Sequence, residues 1–391
     1  MSAASSAKGA PVDLAGTGRL SGFTARAVGL VVVALLLASC AAERPKPTPL
    51  AELVPKVAGR QVWNLRLGRP GFPLVPAARD GSFYVAGADG TVLAVAADTG
   101  VERWRASAGG PLSAGVGSDG RFTSVVTRGN DVVTFEAGRE VWRKRVPAAV
   151  VTPPFVAGER VFVMTVDRVV HAFDALDGRR LWVLRRPGDA LTLAQPGLLA
   201  AHRDTLLVGQ GPRLTGVDPL RGTVRWEAPL ASPRGSNEVE RLADLLGPAA
   251  RVGSRLCARA FQSAVGCADA ERGTTVWTRN TGGIQTVAAD AERVFGADAS
   301  DRITAWRADN GDIAWTTESM LNRQLSGALA VGPLVVFGDG QGLVHFLAAA
   351  SGEAQLRLPT DGSAVVGTPI LEGQTLVVTT RDGGLFAFRP N

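Results

Sequence analysis

Through most of this chain, apolar residues come in short bursts that end in glycine or in polar turn residues. The bursts at 92–98, 132–136, 169–174, 214–218, 264–269, 303–307, 343–347 and 385–388 read as strands. Most open on turn chemistry, such as Asp89-Gly90, Gly129-Asn130, Gly340-Gln341-Gly342 and Asp382-Gly383. Short turns of this composition tolerate positive φ and join antiparallel strands. No stretch among them sustains a helical period over several turns, so the pattern predicts an all-β chain.

After most bursts comes a glycine with a tryptophan four positions on. The pairs are Gly59/Trp63, Gly100/Trp104, Gly138/Trp142, Gly178/Trp182, Gly222/Trp226, Gly273/Trp277 and Gly311/Trp315, and Gly352/Leu356 keeps the frame with leucine in the last slot. Successive copies lie 38 to 51 residues apart, and seven of the eight tryptophans occupy this one slot. Units of about 40 residues with four short strands each predict a β-propeller. The two ends give the blade number. Gly59 has no burst before it, and the burst at 385–388 has no Gly-x-x-x-Trp after it. The deficits cancel if the Trp63 strand joins the C-terminal strands, giving an eight-bladed β-propeller of four-stranded antiparallel blades with no long unpaired edge. The tryptophans then dock blade on blade, and Trp182→Ala is expected to cost roughly 3–5 kcal/mol as a core truncation.

Composition fits this picture: of 391 residues, 46% are hydrophobic and 20% charged, with 47 glycines and 3 methionines. The first segment stands apart. Arg19 and Arg26 precede the apolar run 27–38, which ends in Leu37-Ala38-Ser39-Cys40. The run is shorter than the roughly 20 apolar residues a helix needs to span a bilayer core, and it reads as an export signal. Leu-Ala-Ser-Cys resembles the bacterial lipobox, which implies lipidation of Cys40 and cleavage before it; Ala41 at the next position implies sorting to the outer membrane. Two or more acyl chains anchor a protein stably where one does not. Prolines alternating with polar residues beyond Cys40 predict an extended tether. The expected organisation is signal peptide 1–39, tether 40–58 and propeller 59–391.

The phrases Ala96-Ala97-Asp98-Thr99-Gly100…Trp104 and Phe173-Asp174…Gly178…Trp182 resemble the repeat of pyrroloquinoline-quinone-type propellers. Signal, tether and eight repeats together resemble the BamB family of lipoproteins, which serve the Bam complex that folds β-barrels into the outer membrane. The most specific match is Gly235-Ser236-Asn237-Glu238-Val239-Glu240-Arg241-Leu242-Ala243-Asp244, which interrupts the repeat, and a second is Leu191-Thr192-Leu193. In that family these two loops contact the periplasmic POTRA domains of the insertase BamA. The resemblance thus implies partner-binding roles for Leu191, Leu193, Arg241 and Asp244, with other Bam subunits and unfolded outer-membrane clients as further partners. Ala194 and Leu246 stand where the family often has an arginine and a second acid. From the residues alone, Leu191 and Leu193 fit either apolar teeth at a surface strand end or the core of a blade.

The competing reading is a periplasmic dehydrogenase with a quinone cofactor and Ca²⁺. Such relatives use adjacent cysteines and convergent carboxylate and amide ligands. Cys40, Cys257 and Cys267 are not adjacent, and His171, His202 and His345 lack a second ligand at metal spacing, reading instead as satisfied strand histidines. No nucleophile elbow, phosphate loop or zinc-protease motif occurs. The expectation is a non-catalytic, cofactor-free binding protein. Cys257 and Cys267 flank a hairpin turn near Gln262-Ser263: a strict two-residue turn sets them on different faces, whereas a bulged turn sets them side by side for a disulfide. The net charge of +6 is spread along the repeats, and export argues against nucleic acid.

Overall fold

In the computed structural model, which describes residues 45–68, 75–186, 193, 195–232 and 237–390, the apolar bursts are the third strands of four-stranded antiparallel sheets. Among the described residues, thirty-two strands form eight such sheets, the blades of a propeller. Seven blades run from inner to outer strand in chain order. The eighth is made of Val365–Glu372, Thr375–Thr380 and Gly384–Arg389, and its outer strand is the N-terminal Arg60–Arg66. The register runs from Arg60 opposite Arg389 to Arg66 opposite Gly384, so the ring closes as the end deficits imply. Cys40, the signal segment and the first tether residues lie outside the described residues.

The Gly-x-x-x-Trp spacing has a mechanical origin. The register slips just before every tryptophan, as between Ala94 and Val95 opposite Trp104, or between Ala172 and Phe173 opposite Trp182. The same slip precedes Leu356. An extra residue of this kind bends the strand and re-aims the next side chain. Each ring is thereby turned onto the turn glycine of the following blade: Trp63 lies on Gly100, Trp142 on Gly178, Trp182 on Gly222 and Trp277 on Gly311. Five of the indoles also donate to the carbonyl three residues before that glycine. These bonds run from Trp63 to Ala97 (3.1 Å), Trp142 to Ala175 (2.8 Å), Trp182 to Pro219 (3.0 Å), Trp277 to Ala308 (3.0 Å) and Trp315 to Ala349 (2.9 Å). Leu356 packs on Gly59 and completes the circle. The hydrophobic core consequently lies between blades, as where Trp63 and Leu385 meet Phe83 and Val85.

The hairpin carrying the two cysteines has a three-residue connection, with Ala260 opposite Ala264 and Gln262 at φ 52°. The odd residue sets Cys257 directly opposite Cys267, and the two are joined by a disulfide.

The chain ahead of the ring departs from an unpacked tether. The Thr48 N–H donates to the Leu321 carbonyl (2.9 Å), Arg323 Nη1 donates to the Thr48 carbonyl (3.0 Å), and the Lys56 N–H donates to the Gln355 carbonyl (2.8 Å). Lys56 also pairs with Glu353. Prolines remove donors from this segment but leave its carbonyls, and Arg323 is fixed to meet one of them. Its guanidinium is buried against Asp339, with Nε–Oδ2 at 2.9 Å and Nη2–Oδ2 at 2.7 Å, and His345 Nε2 lies 2.9 Å from the same oxygen. The part of 40–58 that begins at Thr48 therefore packs along the blade of Leu329–Val331 and Ala354–Pro359.

This cluster sets an acid limit on stability. Burial disfavours the Asp339 carboxylate, but hydrogen bonds from His345 and the Leu343 N–H outweigh it and hold the pKa at about 2. Burial lowers the pKa of His345 against the pull of Asp339, and burial likewise lowers that of His171, whose Nε2 has no partner among the described residues. His171 is thus an unsatisfied strand histidine, unlike His345. The unfolded chain takes up protons on both histidines near their ordinary value of 6.5, and on Asp339 near 3.8, before the folded protein does. The urea midpoint is therefore expected to fall as pH drops below 6.5 and again between 3.8 and 2, the Asp339 step alone contributing about 2 kcal/mol. A midpoint that is flat from pH 7 to 5 would show that the histidines take up protons in the fold as readily as in the unfolded chain.

Candidate functional site

Consecutive blades are joined by connectors that return from an outer strand to the next inner strand across one face of the ring. Two neighbouring connectors carry the stretches singled out by sequence. One joins Arg180–Leu184 to Leu199–His202, and the other joins Val224–Pro229 to Ala250–Val252. Leu191, Ala194, Gly235 and Ser236 lie outside the described residues. Leu193, Arg241, Asp244 and Leu246 are described.

Asp244 ties the two connectors together. Its Oδ2 accepts the Leu193 N–H at 3.3 Å, and its Oδ1 accepts Arg168 Nε at 3.0 Å, with Arg168 Nη2 at 2.9 Å. Both charged side chains are only 16% exposed. Arg168 comes from the turn between the second and third strands of the previous blade, where it adopts φ 61°. Its own carbonyl accepts Gln210 Nε2 at 3.0 Å. The Asp244 carbonyl accepts the Phe261 N–H at 3.0 Å, which brings in a third blade. A bridge between Gly197 and Leu246, and the Gly247 N–H to the Pro196 carbonyl (3.1 Å), continue the contact. The described parts of the two connectors therefore lie side by side, and charge-assisted bonds with little solvent access hold them there.

Leu193 is half-buried over a small cleft lined by Met164, Val166, Arg168, Gly209 and Asp244. It is neither sealed in a blade nor freely exposed. Arg241 closes a turn in which Asn237 Oδ1 accepts the Glu240 N–H (2.9 Å) and the Asn237 carbonyl accepts the Arg241 N–H (3.2 Å). That turn leaves Val239 72% exposed beside a groove of about 480 Å³ lined by Leu242, Phe261 and Asn280. Leu246 is buried, its N–H donating to the Arg259 carbonyl at 2.9 Å. The position therefore serves packing in this chain. Sequence reasoning missed Arg168 and Gln210: they lie 76 and 34 residues from Asp244, and only the packing of consecutive blades brings them near. The disulfide-bonded Cys257 and Cys267 sit among residues between blades and add nothing to this face.

Toward the centre, the same face opens into a cavity of about 500 Å³ lined by Gln195, Gln285, Thr286, Asp298, Asp301 and Gln324, among others. Burial raises the pKa of Asp301, and its two oxygens are already committed to the N–H groups of Gln324 (2.6 Å) and Leu325 (3.0 Å). Among the described residues there is no cluster of histidine, cysteine and carboxylate able to hold a metal ion.

A family model described as outer membrane protein assembly factor BamB matches residues 53–111 and 88–317. The outer membrane protein assembly factor BamB of Burkholderia pseudomallei is 36% identical over 370 residues, covering 93% of this chain and 97% of the relative. The corresponding protein of Bordetella pertussis is 32% identical over 89% of this chain and 92% of its own length. Among solved structures, BamB from Moraxella catarrhalis superposes with a TM-score of 0.77 at 21% identity, covering 85% of this chain and 99% of that one. A quinohemoprotein alcohol dehydrogenase from Comamonas testosteroni gives 0.65 at 14% identity, covering 90% and 82%. Both structural likenesses speak for the fold alone.

Proposed function

The chain belongs to the family of the outer membrane protein assembly factor BamB, and from that premise we propose that it works as a non-catalytic scaffold subunit of the Bam complex. Its docking surface is the connector face around Asp244, and its partner there is the POTRA region of a BamA-like insertase. Lipidated Cys40 holds it to the periplasmic face of the outer membrane. One observation carries this reading. The Asp244 carboxylate spends its charge on Arg168 and on the Leu193 N–H, so it holds Leu193 against the connector that also carries the Arg241 turn.

The division of labour follows. Asp244 is a positioning residue with little exposure, whereas Leu193 and Arg241 offer the apolar and cationic contacts of the kind that dominate interfaces. Leu193→Asp and Arg241→Glu are each expected to lower recovery of the insertase from mildly solubilised outer membrane by at least about tenfold, with the thermal midpoint of the isolated protein unchanged. Asp244→Ala is expected to give the same loss by releasing the 193 connector. Full recovery with both variants would remove this face from the interface, and a collapsed midpoint for Leu193→Asp would assign that residue to the core. The dehydrogenase alternative rests on a likeness of fold at 14% identity, which says nothing of chemistry.

A further inference from the structure

On the opposite face of the ring, one blade inverts a charge that three other blades share. Four residues before the turn glycine, three blades carry an aspartate: Asp174, Asp218 and Asp269. Each caps its turn by accepting a backbone N–H, from Leu176 (2.9 Å), Leu220 (2.8 Å) and Glu271 (2.9 Å) respectively. Across the ladder, Asp174 faces Arg160 and Asp269 faces Arg255, so opposite charges meet. In the sixth blade the equivalent residue is Arg307, and it faces Arg293. Like charges directly opposite on neighbouring strands are destabilising unless something compensates them.

Compensation inside the protein is incomplete. Arg293 pairs with Glu292 at 2.9 Å and lies 4.0 Å from Asp290. The side chains of Arg307 and of Arg255, from the neighbouring blade, make no ion pair or hydrogen bond among the described residues. Asp269, the cross-strand partner of Arg255, is occupied instead by its own turn and by Ser254 (3.3 Å). The three arginines converge on one cleft of about 340 Å³, where the alanines Ala291 and Ala314 leave room between them. Glu292 and Asp309, the two carboxylates in the lining, do not cancel three guanidiniums.

We propose that this cleft is an anion site that takes a phosphate group, held chiefly by Arg255 and Arg307. Guanidinium groups arriving from two blades suit the several oxygens of a tetrahedral anion, and each can donate two parallel N–H groups to it. Free phosphate and the phosphodiester headgroup of a phospholipid share this chemistry. The site lies on the turn face, away from the connector face around Asp244, so its occupancy and insertase docking are separable.

The test uses the full-length protein in chloride buffer of low ionic strength, titrated calorimetrically with inorganic phosphate and with glycerophosphoglycerol. Saturable binding of one equivalent is expected. Arg307→Asp sets opposite charge across from Arg293, as Asp174 and Asp269 do opposite Arg160 and Arg255. It is expected to weaken binding by tenfold or more, roughly the loss of one charge-assisted bond, without lowering the thermal midpoint. Arg255→Gln gives the same loss without inverting a charge, and it carries the test if the first variant folds poorly. Arg213→Gln, on an exposed position elsewhere, is expected to bind as the parent does. Binding of inorganic phosphate alone identifies free phosphate as the ligand, and binding of both probes identifies a headgroup. Absence of saturation at millimolar concentrations, or unaltered binding in both cleft variants, overturns the proposal.

Discussion

Arg259→Ala is expected to destabilise the protein by about 3–5 kcal/mol, read as a fall in the urea midpoint at pH 7. Arg259 is fully buried, yet its guanidinium faces only main-chain carbonyls. Nε donates to Gln285 (2.7 Å), Nη1 to Thr281 (3.2 Å) and Gly282 (3.0 Å), and Nη2 to Ala297 (2.8 Å). Burial lowers its pKa to about 10, with Asp298 pulling the other way, so the charge survives at neutral pH. The side chain pins the connector between the fifth and sixth blades to the strand Arg293–Ala297. Gly283 and Gly296 lie so close to it that a Cβ on either would come within 2.7 and 2.9 Å of the guanidinium. Truncation therefore removes four donated bonds at once and leaves a void that glycines cannot fill. Arg259→Lys keeps a charge but loses the planar fork, and an intermediate loss is expected. A midpoint for Arg259→Ala within about 1 kcal/mol of the parent would mean that water reaches these carbonyls and replaces the arginine.

The depth of that effect was invisible in the sequence, where Arg259 is one arginine among many beside a predicted strand. What the sequence does declare is local and periodic. Turn glycines, apolar bursts and the tryptophan four residues on are near neighbours in the chain, and their recurrence specifies blade after blade. Ring closure was legible for the same reason, since Gly59 and the burst at 385–388 are fragments of one unit. Contacts across blades outside this repeat carry no such signature. Arg168 meets Asp244 across 76 residues, and Thr48 meets Arg323 across 275, so neither the organiser of the connector face nor the docking of the Pro-rich segment could be read locally. The resemblance nominated Asp244 as a contact residue. The geometry gives it a prior task, fastening Leu193 to the neighbouring connector. The pairing of Cys257 with Cys267 turned on a single residue in the 261–263 turn, a count that composition leaves open.

Trp142→Ala is expected to cost about 3–5 kcal/mol, whereas the partial exposure of Trp182 lowers the cost of Trp182→Ala below the figure that its slot in the repeat implies. Trp142 is only 6% exposed and packs among Phe122, Val161, Val163 and Phe173 of two blades, while Trp182 is half-buried. Each indole also donates to a carbonyl of the next blade, at 2.8 Å for Trp142 and 3.0 Å for Trp182, so the difference between the variants isolates burial. The partner glycine gives a second handle. Gly178 has φ 69°, and a Cβ there would come 2.6 Å from Trp142 Cδ2, so Gly178→Ala combines backbone strain with a clash against the ring. Removing the ring relieves the clash but not the strain. The double variant is therefore expected to lose less stability than the sum of the two single variants, a coupling of about 1–2 kcal/mol in a double-mutant cycle. Strict additivity would mean that glycine is required there by the turn alone, and that the fixed Gly-x-x-x-Trp spacing records two separate local needs. The expected coupling makes it a single lock between blades, repeated around the ring until Leu356 meets Gly59.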